Sequence, residues 1–248
     1  MSGERFDTRR AAEEPGYLAA VNESLERMHA AARVQWAIEQ LPERHALSSS
    51  FGAQAAVSLH LVASALPDVP VILVDTGYLF PETYRYADQL VEQLGLNLRV
   101  HHPEIGIAWM EARFGKLWEA GSDGLQRYNQ LRKVEPMQRA LRELDVRSWH
   151  AGLRREQSRS RRDLPFLDIR DGRFKFHPIA DWTDQDVGGY MLVNELPEHP
   201  LARQGYVSIG DVHTTQPLLP GMDAAQTRFF GLRRECGLHF DEPAASAA

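Results

Sequence analysis

Cys236 is the only cysteine among 248 residues, and it stands in the run Arg233-Arg234-Glu235-Cys236-Gly237-Leu238-His239. Cationic neighbours favour thiolate over thiol, so two arginines before the sulfur and a histidine after it raise the reactive fraction at neutral pH. Gly237 leaves room beside the sulfur for a substrate or a protein partner. The competing reading is a buried, inert thiol; the charged neighbours and the nearby chain end weigh against burial. A second group is Arg154, Arg155, Arg159, Arg161 and Arg162, which follow Gly152. Guanidinium forks bind phosphate and sulfate oxygens in pairs, although a charge run is also ordinary in a solvated loop. A third is Ser48-Ser49-Ser50-Phe51-Gly52, hydroxyls and a glycine ahead of an apolar helix. That arrangement aims backbone N–H groups and a helix dipole at an anion; the same serines could simply cap the helix.

The elements that must position these groups follow from the hydrophobic pattern. Residues 18–41 show roughly helical apolar spacing, ended by Pro42. A short strand at 45–48, the serine loop and a helix over 53–66 come next. The β-branched run 70–74 reads as a strand buried on both faces, with Asp75-Thr76-Gly77 at its C-terminal end, where open parallel sheets bind ligands. The alternative for Gly77 is a turn that needs its geometry. Pro81 suits the first turn of a helix that runs to Leu94, followed by a strand at 96–101. Residues 106–124 should form short helices. A strand at 146–151 precedes the arginine loop. Asp171-Gly172 is a hairpin turn between strands at 166–169 and 174–177, and Thr183 caps a helix reaching towards Asn194. His101 and His102 lack further ligands at metal-binding spacing, so a solvated strand end is expected there. Strand–helix alternation from 45 to 151 predicts an α/β fold: a mostly parallel twisted sheet with helices on both faces. Three parts are expected: an N-terminal helical segment 1–44, a ligand-binding α/β domain 45–216, and a mobile tail 217–248 beyond the break at Pro217, Pro220 and Gly221.

Composition narrows the function classes. The net charge is -6, which argues against bulk nucleic-acid binding and leaves the arginine clusters to serve a discrete anion. No apolar run approaches the ~20 residues that span a membrane. One cysteine forms no internal disulfide, and the charged start of the chain lacks a signal-peptide pattern, so a reducing cytoplasm is expected.

Glu235-Cys236-Gly237-Leu238-His239 resembles the C-terminal signature of the assimilatory sulfonucleotide reductases. Thr227-Arg228-Phe229-Phe230-Gly231-Leu232 resembles the branch that acts on 3'-phosphoadenylyl sulfate (PAPS), and Gly205-Tyr206-Val207-Ser208-Ile209-Gly210-Asp211 is a further match. The resemblance begins near Leu47 and covers most of the chain. It implies an adenine nucleotide α-hydrolase-like fold and conversion of PAPS to sulfite and adenosine 3',5'-bisphosphate. It also implies a Cys236 S-sulfonate, thioredoxin as reductant with glutaredoxin as the substitute, and a homodimer. On the same basis Cys236 is catalytic. Ser48, Ser49, Ser50, Phe51, Gly52, Asp75, Thr76, Gly77, Lys133, Arg154, Arg155, Arg228, Arg233, Arg234 and His239 are expected to bind substrate. Without the resemblance, Lys133 would read as a surface lysine. Cluster-bearing relatives carry cysteine pairs where Tyr128 and Asn129, and Asp211 and Thr214, stand here. An iron–sulfur cluster needs about four thiolates, so no cluster or other metal is expected. Gln54 and Ala55 stand where ATP-cleaving relatives place an acidic residue, which disfavours an adenylating enzyme. A nucleotide-binding regulator without turnover and a reductase of adenylyl sulfate (APS) are the remaining alternatives.

Overall fold

The computed structural model describes residues 6–231. Among these, three helices lead in: α1 (Thr8–Glu13), α2 (Pro15–Glu26) and α3 (Ala30–Gln40). Then come β1 (His45–Ser48), α4 (Ala55–Ala65), β2 (Pro70–Val74), α5 (Pro81–Leu94) and β3 (Asn97–His101). Next are α6 (Ile107–Phe114), α7 (Gly121–Asn129), a π-helical turn (Gln130–Val134) and α8 (Glu135–Glu143). Then come β4 (Ser148–Ala151), β5 (Leu167–Arg170), β6 (Arg173–Phe176) and α9 (Asp184–Val193), followed by short 3-10 turns up to Gly231.

The described strands form one sheet in the order β3-β2-β1-β4-β6-β5. All pairs are parallel except the β5–β6 hairpin. Its turn has Asp171 at φ 50° and Gly172 at φ 72°, the doubly positive geometry that matches strand twist. The alternation of a strand's side chains explains the two layers. Leu47, Val71 and Leu73 face α4 and α5, while Ala46, Ile72, Val74 and Trp149 face Met137, Ala140 and Leu141 of α8. A third core, including Phe6, Leu25, Phe166 and Phe176, seats the N-terminal helices against the hairpin.

One expectation is corrected. The single helix expected over 18–41 is broken at residues 27–29. Buried Arg33 donates to Leu25 O (2.8 Å), Glu26 O (3.4 Å) and Asp181, so one guanidinium caps the first helix from within the second. Residues 217–221 form the expected loop, and the described residues just beyond it pack on the body. Thr215 bridges Arg228, Gln216 N donates to Thr227 O (3.0 Å), and both Thr227 and Phe229 are buried.

The chain fills β1, β2 and β3 outward on one side and then crosses to β4 on the other. The C-terminal ends of β1 and β4 therefore border the crevice where open α/β sheets take ligands. Gly152 permits the close approach there: a Cβ on it would lie 2.7 Å from Ser58 Cβ and nearer still to the hydroxyl. Gly152→Ala should lower the melting temperature by roughly 2–12 °C, from about 1–3 kcal/mol of overpacking. Combining it with Ser58→Gly should recover much of that loss. Thermal denaturation of the three variants checks both; an unchanged melting temperature for Gly152→Ala contradicts the packing argument.

Candidate functional site

The serine loop leaves β1 with most of its groups already committed. Ser48 is buried and its hydroxyl accepts from Trp149 Nε1 (2.7 Å) on β4. Ser49 N donates to Ile72 O (3.0 Å), and its hydroxyl accepts from Phe51 N (3.1 Å). Phe51 sits at φ 50° with its ring fully buried. Burial of the ring thus holds a left-handed bend that a bulky residue disfavours. That bend leaves Ser50 exposed and brings Gly52 under Ile209, whose carbonyl lies 3.5 Å from where a Gly52 Cβ would be.

After β4, buried Arg154 spans the crevice. Its guanidinium donates to Asp184 Oδ1 (2.6 Å), Trp182 O (2.9 Å) and Gln54 Oε1. It therefore ties the two switch-point loops to the start of α9. Arg155 turns instead to α2, paired with both oxygens of Glu26 (2.8 and 3.0 Å). Hydrogen bonding from Arg155 is the main influence lowering the Glu26 pKa.

The loop after β2 meets a strap comprising residues 205–215. Leu79 bridges Asp211, and Val212 N donates to Tyr78 O (2.9 Å). The fully buried Asp211 carboxylate receives the Thr76 hydroxyl (2.5 Å) on one oxygen and the Lys133 ammonium (2.6 Å) on the other. Burial opposes its ionisation, but Lys133, Thr76 and Arg228 outweigh that and hold its pKa down at about 2. Asp75 accepts from Gly77 N and the Tyr84 hydroxyl, both at 2.7 Å. Gly77 is required at φ 78°, because a Cβ would strike Ile107 at 2.7 Å and press on Arg132.

Lys133 reaches inward because of the π turn. Widening by one residue lets consecutive side chains, Arg132 and Lys133, both point into the protein, where they are buried. Such turns often mark functional sites. Arg132 donates Nε to Thr76 O (3.0 Å) and Nη1 to Ile105 O (2.5 Å), clamping the loop that presents Thr76. The sequence reading missed this residue, since a 3.6-residue period does not put neighbours on one face. Beside it, His213 stacks on Trp118 (3.7 Å) and meets the edges of Tyr78 and Tyr128. Burial is the main cause that pushes the His213 pKa down to about 4, so its ring is neutral at neutral pH.

Tyr128, Asn129, Asp211 and Thr214, the positions compared with cluster cysteines, are all buried. They present phenol, amide, carboxylate and hydroxyl, a donor set that does not fit an iron–sulfur cluster. Arg228 lies over Gly210 and donates to Ser208 Oγ (3.1 Å). The structure thus gathers Thr76, Gly77, Lys133 and Arg228 around Asp211, and Ser49 to Gly52 with Arg154 at the switch point. Arg233, Arg234, Cys236 and His239 lie outside the described residues.

Two outcomes test the ion pair. Asp211→Asn strands a buried ammonium and should cost about 3–5 kcal/mol in urea unfolding, whereas Lys133→Met with Asp211→Leu should cost far less. The folded Asp211 pKa of about 2 lies below its ordinary 3.8. Its stabilisation is therefore complete above pH 3.8 and lost as pH falls towards 2, about 2 kcal/mol over that window. Asp211→Asn should lack this part of the acid dependence; identical pH profiles contradict the assignment.

Residues 44–217 match the family model for the phosphoadenosine phosphosulfate reductase domain. A phosphoadenosine 5'-phosphosulfate reductase of Thiocapsa roseopersicina is 60% identical over 222 residues, 90% of this chain and 93% of that protein. One from Pectobacterium carotovorum subsp. carotovorum is 60% identical over 228 residues, covering 92% and 93%. The crystal structure of phosphoadenylyl-sulfate (PAPS) reductase from Candida auris, a phosphate complex, superposes with TM-score 0.70 at 29% identity, over 81% of this chain and 97% of that one. Candida glabrata FMN adenylyltransferase shares the fold, with TM-score 0.55 at 14% identity over 80% of this chain and 70% of that one.

Proposed function

The chain belongs to the phosphoadenosine phosphosulfate reductase family, and from that premise we propose that it reduces PAPS to sulfite and adenosine 3',5'-bisphosphate with a dithiol protein as reductant. The observation that carries the mechanism is the proximity of a buried cation to the root of the reactive segment. Lys133 Nζ lies 5.2 Å from the Phe229 ring. Cys236 follows seven residues later, a reach of roughly 24 Å at full extension.

In this reading the nucleotide lies at the β1–β4 crevice. Its anionic groups meet the serine loop, the Asp75-Thr76-Gly77 turn and the cations Lys133, Arg154, Arg228, Arg233 and Arg234, whereas Arg155, expected among them, is held by Glu26 on α2. The Cys236 thiolate attacks the sulfate sulfur. An S–S bond forms, the S–O bond to phosphorus breaks, and adenosine 3',5'-bisphosphate leaves with the electron pair. Positive charge fixed around that oxygen stabilises the charge growing there, and His239 hydrogen-bonds the sulfonate. A thiolate of thioredoxin, or of glutaredoxin in its place, then attacks Cys236 Sγ and expels sulfite. The second thiol of the reductant releases Cys236 and leaves the partner as a disulfide. The chain has one cysteine, so the two electrons come from outside it. A homodimer, a cytoplasmic location and a role in sulfate assimilation belong to the same reading.

The test is sulfite release from PAPS with reduced thioredoxin. Cys236→Ser should bind nucleotide within about threefold of wild type yet release no sulfite, because a serine hydroxyl stays protonated without a base. Substantial turnover by this variant contradicts the reading. Loss of the 3'-phosphate contacts should lower kcat/KM for APS by one to several orders of magnitude, at about 1.5–3 kcal/mol per charge-assisted bond. Equal values for APS and PAPS contradict the substrate assignment.

A further inference from the structure

Phe229 combines a disfavoured backbone with deep burial. Its φ is 48°, in the left-handed region that a bulky side chain normally avoids. Its ring is 1% exposed and packs with Met110, Leu117, Trp118, Leu125 and Tyr128. Lys133 Nζ is 5.2 Å and Arg228 Cζ 5.0 Å from that ring. Gly231 N donates to Arg228 O (2.9 Å), closing a turn around the residue. Among the described side chains, Phe229 is the last buried one before Cys236. Left-handed backbone at a non-glycine position persists only where surrounding contacts over-determine it, and it clusters where geometry matters to function.

We propose that Phe229 is the anchoring post of the Cys236 segment: a positioning residue whose seated ring fixes where the thiol arrives and couples that arrival to the anion at Lys133. The inference rests on the PAPS-reductase reading. The coupling runs through contact. The ring shares Tyr128 and Lys133 with the Asp211 pair, so an anion that engages Lys133 alters the wall of the Phe229 seat. The anchor also sets orientation as distinct from reach. Releasing Phe229 moves the last described tie before Cys236 back from Gly231 to Thr227, which raises the number of residues between that tie and Cys236 from four to eight. A flexible tether lengthened that much loses roughly two- to threefold in effective concentration. A misoriented nucleophile loses roughly a hundredfold for about 1 Å of displacement. The size of the defect therefore separates the two.

The experiment compares full-length wild type, Phe229→Ala, Phe229→Leu and Met110→Ala in sulfite release, in adenosine 3',5'-bisphosphate binding and in Cys236 alkylation by iodoacetamide. Phe229→Ala should lower kcat roughly 10–100-fold, with KM and nucleotide affinity within about twofold. Phe229→Leu, which refills the seat, should restore most of kcat, and Met110→Ala should reproduce the loss more weakly. The nucleotide should change the wild-type alkylation rate several-fold and leave the Phe229→Ala rate unchanged. A kcat within threefold of wild type for Phe229→Ala, or a raised KM at constant kcat, overturns the proposal. So does a wild-type alkylation rate indifferent to the nucleotide. If circular dichroism shows Phe229→Ala unfolded, Met110→Ala decides, and an unchanged kcat there overturns the anchor. A wild type that releases no sulfite removes the functional reading, and the alkylation contrast then decides the anchor by itself.

Discussion

The buried pair between Lys133 and Asp211 is the interaction on which the site depends. Removing two charges from water costs several kcal/mol per ion, and their attraction compensates only when the remaining hydrogen-bonding capacity is filled. Here the Thr76 hydroxyl fills it on the carboxylate, and Arg228 adds a second positive charge nearby. The three partners come from distant parts of the chain: the loop after β2, the π turn, and the strap that leads towards the Cys236 segment. A shift of Lys133 or Asp211 strands a buried charge, and a shift of Thr76 leaves the buried carboxylate short of a hydrogen bond. The pair therefore holds the loop, the cation and the strap in register, while Arg132 fixes the Thr76 carbonyl independently.

Around that lock the sheet supplies a general solution and the side chains a particular one. Crossing from β3 to β4 opens the crevice that any fold of this topology offers. Arg154 then joins Gln54 to Asp184 across it. A carboxylate at position 54 would bring a third negative charge to that guanidinium, beside Asp184 and Glu156; Gln54 supplies a neutral acceptor instead. The positions compared with cluster cysteines hold part of the same lock, since Asp211 is one of them and Tyr128 lines the Phe229 seat. Aromatic packing and an ion pair build the wall there.

How much of this was legible in the sequence depended on how local the cause is. The run 70–74 reads as a buried strand because every residue carries the signal, and Asp171-Gly172 reads as a turn because the backbone there requires positive φ. Lys133 was expected to bind substrate through resemblance, but its buried partner was not foreseen, because Asp211 is 78 positions away. The break at residues 27–29 was hidden because its cause is the long-range reach of Arg33 to Asp181. The π turn escaped because no residue type announces it; the period simply slips by one. The serine loop looked like a row of exposed donors, yet Ser48 spends its hydroxyl on Trp149, a bond that only strand pairing creates. The return of the chain after Gly221 was equally invisible: Pro217, Pro220 and Gly221 mark a loop and say nothing of where it ends.

The central claim is that this cation-lined crevice presents a sulfated nucleotide to the thiol of Cys236. It is tested most directly by mass spectrometry of the wild-type protein mixed with PAPS and no reductant. The account predicts a gain of about 80 Da, one sulfonate, on the peptide containing Cys236, discharged as sulfite when reduced thioredoxin is added. Sulfite released without a reductant and without any adduct on that peptide would contradict it.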